Sequence, residues 1–211
     1  MNTIINGYTV QILICLFFIY SFIGFISDTL FTKLDTKKWM YRGFLFAPIC
    51  PIYGTGALIV LMVLPRNLDY FSLYFLGMIL ATSLEFITSY VLEKIFHTIW
   101  WDYSDKKFNL QGRICLMIAL GWGALIVVVI KFLNPAIVDI LGKLDKGFIK
   151  VIIPIFLTLL VIDTTLSIIK AAKVKHYKDD HNSEKRHYNL LNKEYWEDKK
   201  RLLLRKKKKN N

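Results

Sequence analysis

Apolar residues run along this chain in long blocks, with neither the alternation of a strand nor the single stripe of a surface helix. Five blocks stand out: Tyr8 to Phe31, Gly43 to Leu64, Phe71 to Phe96, Ile114 to Leu133 and Phe148 to Ile169. At ~1.5 Å per residue each can cross a hydrocarbon core of about 30 Å as a helix. The pattern predicts an all-α, polytopic membrane protein with five transmembrane helices. The second block differs from the others because Pro48 and Pro51 lie inside it. From Ile52 to Leu64 only 13 residues run without interruption, which at ~1.5 Å each is too short to span. The stretch before Pro48 must therefore be membrane-embedded as well. Proline lacks the backbone donor and collides with the carbonyl four residues earlier, so the span should be broken near its start. Backbone groups freed at that depth need protein or water partners. A broken helix is thus where the bundle gathers, and a place where a solute can bind.

The basic residues set an orientation. None precedes the first block, four follow it (Lys33, Lys37, Lys38, Arg42), and Arg66 stands alone between the second and third. Lys94, Lys106, Lys107 and Arg113 lie around the next connection, and Lys131, Lys143, Lys146 and Lys150 around the one after that. The remaining 15 of 28 fall from Lys170 onward. The positive-inside rule then puts the N-terminus outside and the C-terminus in the cytoplasm of a plasma-membrane protein. The fourth connection, with its lysines outside, is the exception. Its Ile137, Ile140, Leu141 and Leu144 stand at helical spacing opposite Asp139, Lys143 and Asp145, which predicts a short interfacial helix starting at Asn134 and Pro135.

Composition sharpens this picture. The hydrophobic fraction of 55% and mean hydropathy of +0.41 exceed those of soluble domains. The net charge of +12 belongs mostly to the end of the chain. We divide the chain into a transmembrane domain, residues 1–170, and a basic cytoplasmic tail, 171–211, helical or disordered, that attracts anionic lipid headgroups. No nucleic-acid partner is expected. Without a basic stretch before it or a small-residue cleavage site after it, the first block is read as a retained helix. Cys15, Cys50 and Cys115 all lie in apolar stretches and imply no disulfide framework.

Four carboxylates lie inside the blocks: Asp28, Glu85, Glu93 and Asp163. Insertion of a charged residue near the bilayer centre costs about 3 kcal/mol, so such groups face the bundle interior and find partners. Thr82, Glu85, Ser89 and Glu93 share one helix face, and that face should point inward. Glu85 is expected to pair with Arg42 or Arg113, whose planar guanidinium suits a carboxylate. Glu93 and Asp28 can equally sit at headgroup level beside Lys94 and Lys33. Asp163, with Thr158, Thr164, Thr165 and Ser167 close by, is read as hydroxyl-bonded. In the third connection, Trp100, Trp101 and Tyr103 adjoin Asp102 and Asp105; the tryptophans suit an interfacial belt, and Asp102 suits a lock onto Arg42 or Arg113, or contact with a cytoplasmic partner. The polar site or gate therefore comprises Arg42, Cys50, Pro51, Tyr53, Glu85, Asp102 and Arg113, with Asp28, Glu93 and Asp163 as secondary members.

An internal echo runs through the chain: Gly54-Thr55-Gly56-Ala57-Leu58-Ile59-Val60 resembles Gly121-Trp122-Gly123-Ala124-Leu125-Ile126-Val127. It suggests two hairpins set the same way, the glycines serving close approach between helices or a local bend. Several chemistries are missing. There is no phosphate-binding G-x-x-x-x-G-K-[ST] loop and no G-x-S-x-G elbow. His97 has no partner at metal-ligand spacing. No metal, cofactor or enzymatic activity is expected.

The segments Arg42-Gly43-Phe44-Leu45, Pro48-Ile49-Cys50-Pro51-Ile52-Tyr53-Gly54-Thr55-Gly56, Glu85-Phe86-Ile87-Thr88-Ser89-Tyr90, Trp100-Trp101-Asp102-Tyr103-Ser104 and Phe108-Asn109-Leu110-Gln111-Gly112-Arg113-Ile114-Cys115 together resemble the family named putative type IV ABC-transporter permeases, small integral membrane proteins of Gram-positive anaerobes. The resemblance runs from about Tyr20 through Pro135. Phe25, Asp28 and Ala47 stand where the family tends to have Trp, Glu and Gly. The resemblance implies a transport component that works with a separate cytoplasmic ATPase subunit. Two other readings stand beside it: a non-transporting scaffold or sensor, and a membrane-embedded enzyme acting on a lipid or thiol substrate through Cys50 or Glu85.

Overall fold

The computed structural model describes residues 4–36, 44–96 and 99–180. Arg42, His97 and the last part of the basic tail lie outside them.

The architecture is all-α and built for a membrane. Helix α1 spans Val10–Thr36, α2 Pro51–Val63, α3 Tyr70–Phe96, α4 Leu116–Val128, α5 Asn134–Lys143 and α6 Lys146–Asp180. A π-helical turn, Val129–Leu133, joins α4 to α5. Counting α4 through α5 as one, four helices among the described residues are long and apolar enough to cross a bilayer, and α2 is the short fifth. Their large apolar side chains, such as Phe71 on α3 and Val161 on α6, point outward, as lipid-facing surfaces do.

The fourth connection departs from expectation. A helix does start at Asn134, with Pro135 in its first turn, but it continues α4 through the π-turn, so the predicted separate interfacial helix is the C-terminal end of the fourth span. Its apolar residues explain why. Leu141 is buried with Tyr8, Leu13, Leu16 and Tyr20, so α5 is held against α1 by protein contacts, and Asn134 accepts from the Tyr20 hydroxyl at 3.1 Å. Only Leu144 and Asp145 separate α5 from α6, and Asp145 caps α6 by accepting from the Phe148 N–H at 2.8 Å.

The helices form two antiparallel hairpins, α1 with α2 and α3 with α4. Gly54 of α2 faces α1 so closely that a Cβ there would lie 2.2 Å from Ser21 Oγ and 2.5 Å from the Phe17 carbonyl. In the second hairpin, Gly77 of α3 gives room to Ile126, and Gly123 of α4 to the Tyr74 ring. Leu73, Val60, Leu64 and Ile126 bury the seam between the hairpins. Small residues let membrane helices pack by close contact where lipid offers no hydrophobic drive.

Candidate functional site

The proline-broken segment is ordered by its neighbours. Residues 44–50 take no regular structure, and α2 begins only at Pro51, where the missing N–H is no loss. From Phe46 to Cys50 each backbone donor has a protein acceptor. Phe46 and Ala47 donate to the two carboxylate oxygens of Asp163 at 2.8 and 2.7 Å, Ile49 donates to the Ala47 carbonyl, and Cys50 to the Ser21 carbonyl at 2.8 Å. Pro48 has no donor to place. Such satisfaction is what allows irregular backbone at membrane depth. Asp163 is therefore the clamp of the broken segment. Ser167 also donates to it, at 3.2 Å, so the hydroxyl-bonded reading covers the smaller part of its role. The larger part joins positions more than a hundred residues apart, which spacing along the chain does not reveal.

Behind this segment α2 presents Tyr53 to α1. The Tyr53 hydroxyl donates to Asp28 at 2.5 Å, and the Cys50 thiol lies 3.6 Å from the same carboxylate. Gly24 makes the space, because a Cβ there would fall 2.2 Å from the Tyr53 ring. Asp28 is thus held within the bundle by α2, in preference to the simple headgroup placement beside Lys33.

The second hairpin carries the deeper acid. Glu85 is 5% exposed. One carboxylate oxygen accepts from the Tyr103 hydroxyl at 3.0 Å and the other from the Trp122 indole N–H at 2.8 Å. The expected pairing with Arg113 does not form, because Arg113 bonds Glu93 at 2.5 Å and lies beside the Phe86 and Tyr90 rings. The reason is depth: Glu93 is two helical turns nearer the connection that carries Arg113, and a guanidinium is easier to hold there than beside a fully buried acid. The alternative pairing with Arg42 falls outside the described residues. Ser89 is buried on the same face, so the inward direction read from Thr82, Glu85, Ser89 and Glu93 holds.

The third connection folds as a structure of its own. Strands β3, Asn109–Leu110, and β4, Ile114–Cys115, pair across a turn that places Gln111 and Gly112 at positive φ. Asp102 accepts from the Ser104 N–H at 2.9 Å and its hydroxyl at 2.5 Å, forming a turn; its expected lock on Arg113 is replaced by the Glu93 pair. Trp100 is buried against Phe44, and Trp101 donates to the Arg113 carbonyl at 3.0 Å. Trp100 is thus a buried packing element of the connection, and Trp101 a partly exposed one tied to it by its indole hydrogen bond.

Between the hairpins lies a cavity of about 70 Å³ bordered by Tyr53, Glu85, Trp122, Val60 and Ile130. Tyr53 and Trp122 touch across it, ring centroids 5.3 Å apart, and the Tyr53 hydroxyl reaches back to Asp28. Tyr53, Glu85 and Asp28 thus come together, with Cys50 and Pro51 immediately behind; Asp102, Arg113 and Glu93 form a second group at the connection, and Asp163 stands apart as the clamp. Two members were missed by sequence reasoning, Trp122 and Tyr103. An indole N–H inside an apolar span needs an acceptor, and that signal was available for Trp122. A carboxylate oxygen takes more than one hydrogen bond, so Glu85 retains acceptor capacity for a proton or a solute donor.

This geometry, a proline-broken helix and two acids held by neutral donors between two hairpins of apolar helices, is that of a multi-pass membrane protein. The chain belongs to the family described as Putative ABC-transporter type IV, which matches residues 15–168. No curated protein and no solved structure matches it.

Proposed function

We propose that the chain is the membrane-spanning, permease-like subunit of an ABC-type transporter, working with a separate cytoplasmic ATPase. Its N-terminus lies outside the plasma membrane, and residues 171–211 form a cytoplasmic tail drawn to anionic headgroups. Glu85, Asp28 and Tyr53 form the polar site, with Trp122 and Tyr103 as their supports. One observation carries this reading: the cavity holding Glu85 and a wider pocket at the opposite end of the bundle share Val60 and Ile130 as lining residues. The two apolar side chains therefore stand between the mostly apolar cavity that holds Glu85 and the more polar pocket beyond it, the position of a hydrophobic gate.

A scaffold or sensor is the second reading. It is favoured by the neutral protein donors that already engage both acids, a suitable way to fix a bundle. The deciding experiment is affinity purification of the tagged full chain from native membranes in mild detergent, followed by mass spectrometry. A stoichiometric ATPase supports the permease; its reproducible absence transfers the weight to the scaffold.

A further inference from the structure

At the end of the bundle opposite Glu85 is a pocket of about 340 Å³. Its floor is polar. Asn134 donates to the Tyr8 hydroxyl at 2.7 Å, and the Tyr8 ring carries the Arg66 guanidinium 4.1 Å from its centroid. Strands β1, Ile4–Ile5, and β2, Tyr8–Thr9, pair antiparallel, and Tyr8 of β2 lines the pocket. Their turn residue Asn6 donates to the Leu61 carbonyl at 2.7 Å, and Arg66 donates back to the Asn6 carbonyl. Lys131 enters from the π-turn, anchored by its bond to the Leu68 carbonyl at 2.5 Å. Leu61, Leu64 and Val138 supply an apolar wall.

Charge balance makes the pocket notable. Arg66 and Lys131 both line it, no carboxylate does, and among the described residues neither cation is ion-paired. Asp69, the nearest acid in sequence to Leu68, is engaged elsewhere. It caps α3, accepting from the Ser72 N–H at 2.9 Å, and the bonds from Ser72 hold its carboxyl below the usual range. Arg66 stands in the connection between α2 and α3, whereas Lys131 lies inside the fourth span, where a lysine is costly and usually faces a partner. A π-turn is a frequent mark of a functional position, and here it carries one of the two cations.

We propose that this pocket binds a phosphate group, with Arg66 and Lys131 as its ligands and Leu61, Leu64 and Val138 receiving any apolar portion. A guanidinium and an ammonium together match a phosphate's several acceptor oxygens. The phosphate can belong to a lipid headgroup at the membrane surface or to a free anion entering from outside. The site holds whether or not a solute crosses the bundle, and so stands apart from the permease reading.

The test titrates inorganic phosphate and, separately, dihexanoyl phosphatidylglycerol against the full chain in neutral detergent, reading the thermal midpoint. It compares the natural protein with Arg66→Gln/Lys131→Gln and with Arg66→Lys/Lys131→Arg. Loss of two charge-assisted contacts should raise the half-saturating concentration at least about tenfold in the neutral pair, while the charge-keeping pair stays near the natural value. The basic tail is common to all three, so only the difference between variants is diagnostic. Protection by phosphate alone identifies a free anion as sufficient, and protection by the lipid only identifies a headgroup. Should the neutral pair not fold, Arg66→Gln alone serves, because that side chain is at the surface. No protection of the natural protein by either probe, or equal protection with and without the cations, overturns the proposal.

Discussion

The two hairpins carry nearly the same run of residues, differing at Thr55 and Trp122, and use it differently. In the first, Gly54 is the point of contact: a Cβ there would meet α1 at its backbone, while one at Gly56 would only brush Leu84 at 3.3 Å. In the second the roles are exchanged. Gly121 has open space, and Gly123 meets the Tyr74 ring at 2.9 Å. The connections differ in the same spirit. The mouth of α2 is irregular and held from outside by Asp163 of α6, whereas the mouth of α4 is held by its own strand pair and by Trp101. A repeated sequence can thus give a repeated topology while each copy finds its own contacts, because packing responds to the neighbour a residue meets.

The sharpest way to break this comparison is at Asp163. Asp163→Ala removes the acceptor of two backbone donors in a buried place, and a loss of about 3 kcal/mol is expected for two such groups left unmet. The first hairpin should loosen selectively: maleimide labelling of Cys50 should accelerate, with Cys115 labelling unchanged. Equal acceleration at both thiols would mean that Asp163 supports the whole bundle.

Next in size are the glycines. Gly54→Ala forces helix backbones apart and should destabilise by about 2 kcal/mol, within the range for overpacking. Gly121→Ala, with nothing to meet, should be neutral or stabilise by up to ~1 kcal/mol through helix propensity. Thermal midpoints in detergent decide the matter, and similar losses at both positions would restore the equivalence that the echo suggests.

The smallest expected effect is at the acid itself. Trp122→Phe removes one donor to Glu85 and leaves Tyr103 in place, for a loss of about 1 kcal/mol. In the first hairpin Tyr53→Phe tests the matching bond to Asp28. A midpoint unchanged by Trp122→Phe would show that the indole bond does not support the second hairpin.

Much of the fold was legible because a bilayer imposes simple rules. The apolar blocks located the spans, Pro48 and Pro51 located the break, and the spacing of Thr82, Glu85, Ser89 and Glu93 gave the inward face. Less of the site could be read. Arg113 and Glu85 were matched by chemical affinity alone, whereas the bond to Glu93 depends on depth along α3, a distance that appears once the connection is folded. Residues 134–143 showed the period of an interfacial helix, yet the same period suits a helix packed on α1, and only the packed neighbour distinguishes them.

The sequence by itself determined the number of apolar helices, the interruption of the second and the direction in which Glu85 faces. These follow from local rules: helix rise against membrane thickness, the absent proline donor and the 3.6-residue period. The tertiary structure alone decided that Asp163 satisfies the broken segment, that neutral donors hold Glu85, and that Arg66 and Lys131 share one pocket. Those outcomes join residues distant along the chain, and in a medium without water to satisfy them their partners are set by what folding brings within hydrogen-bond reach.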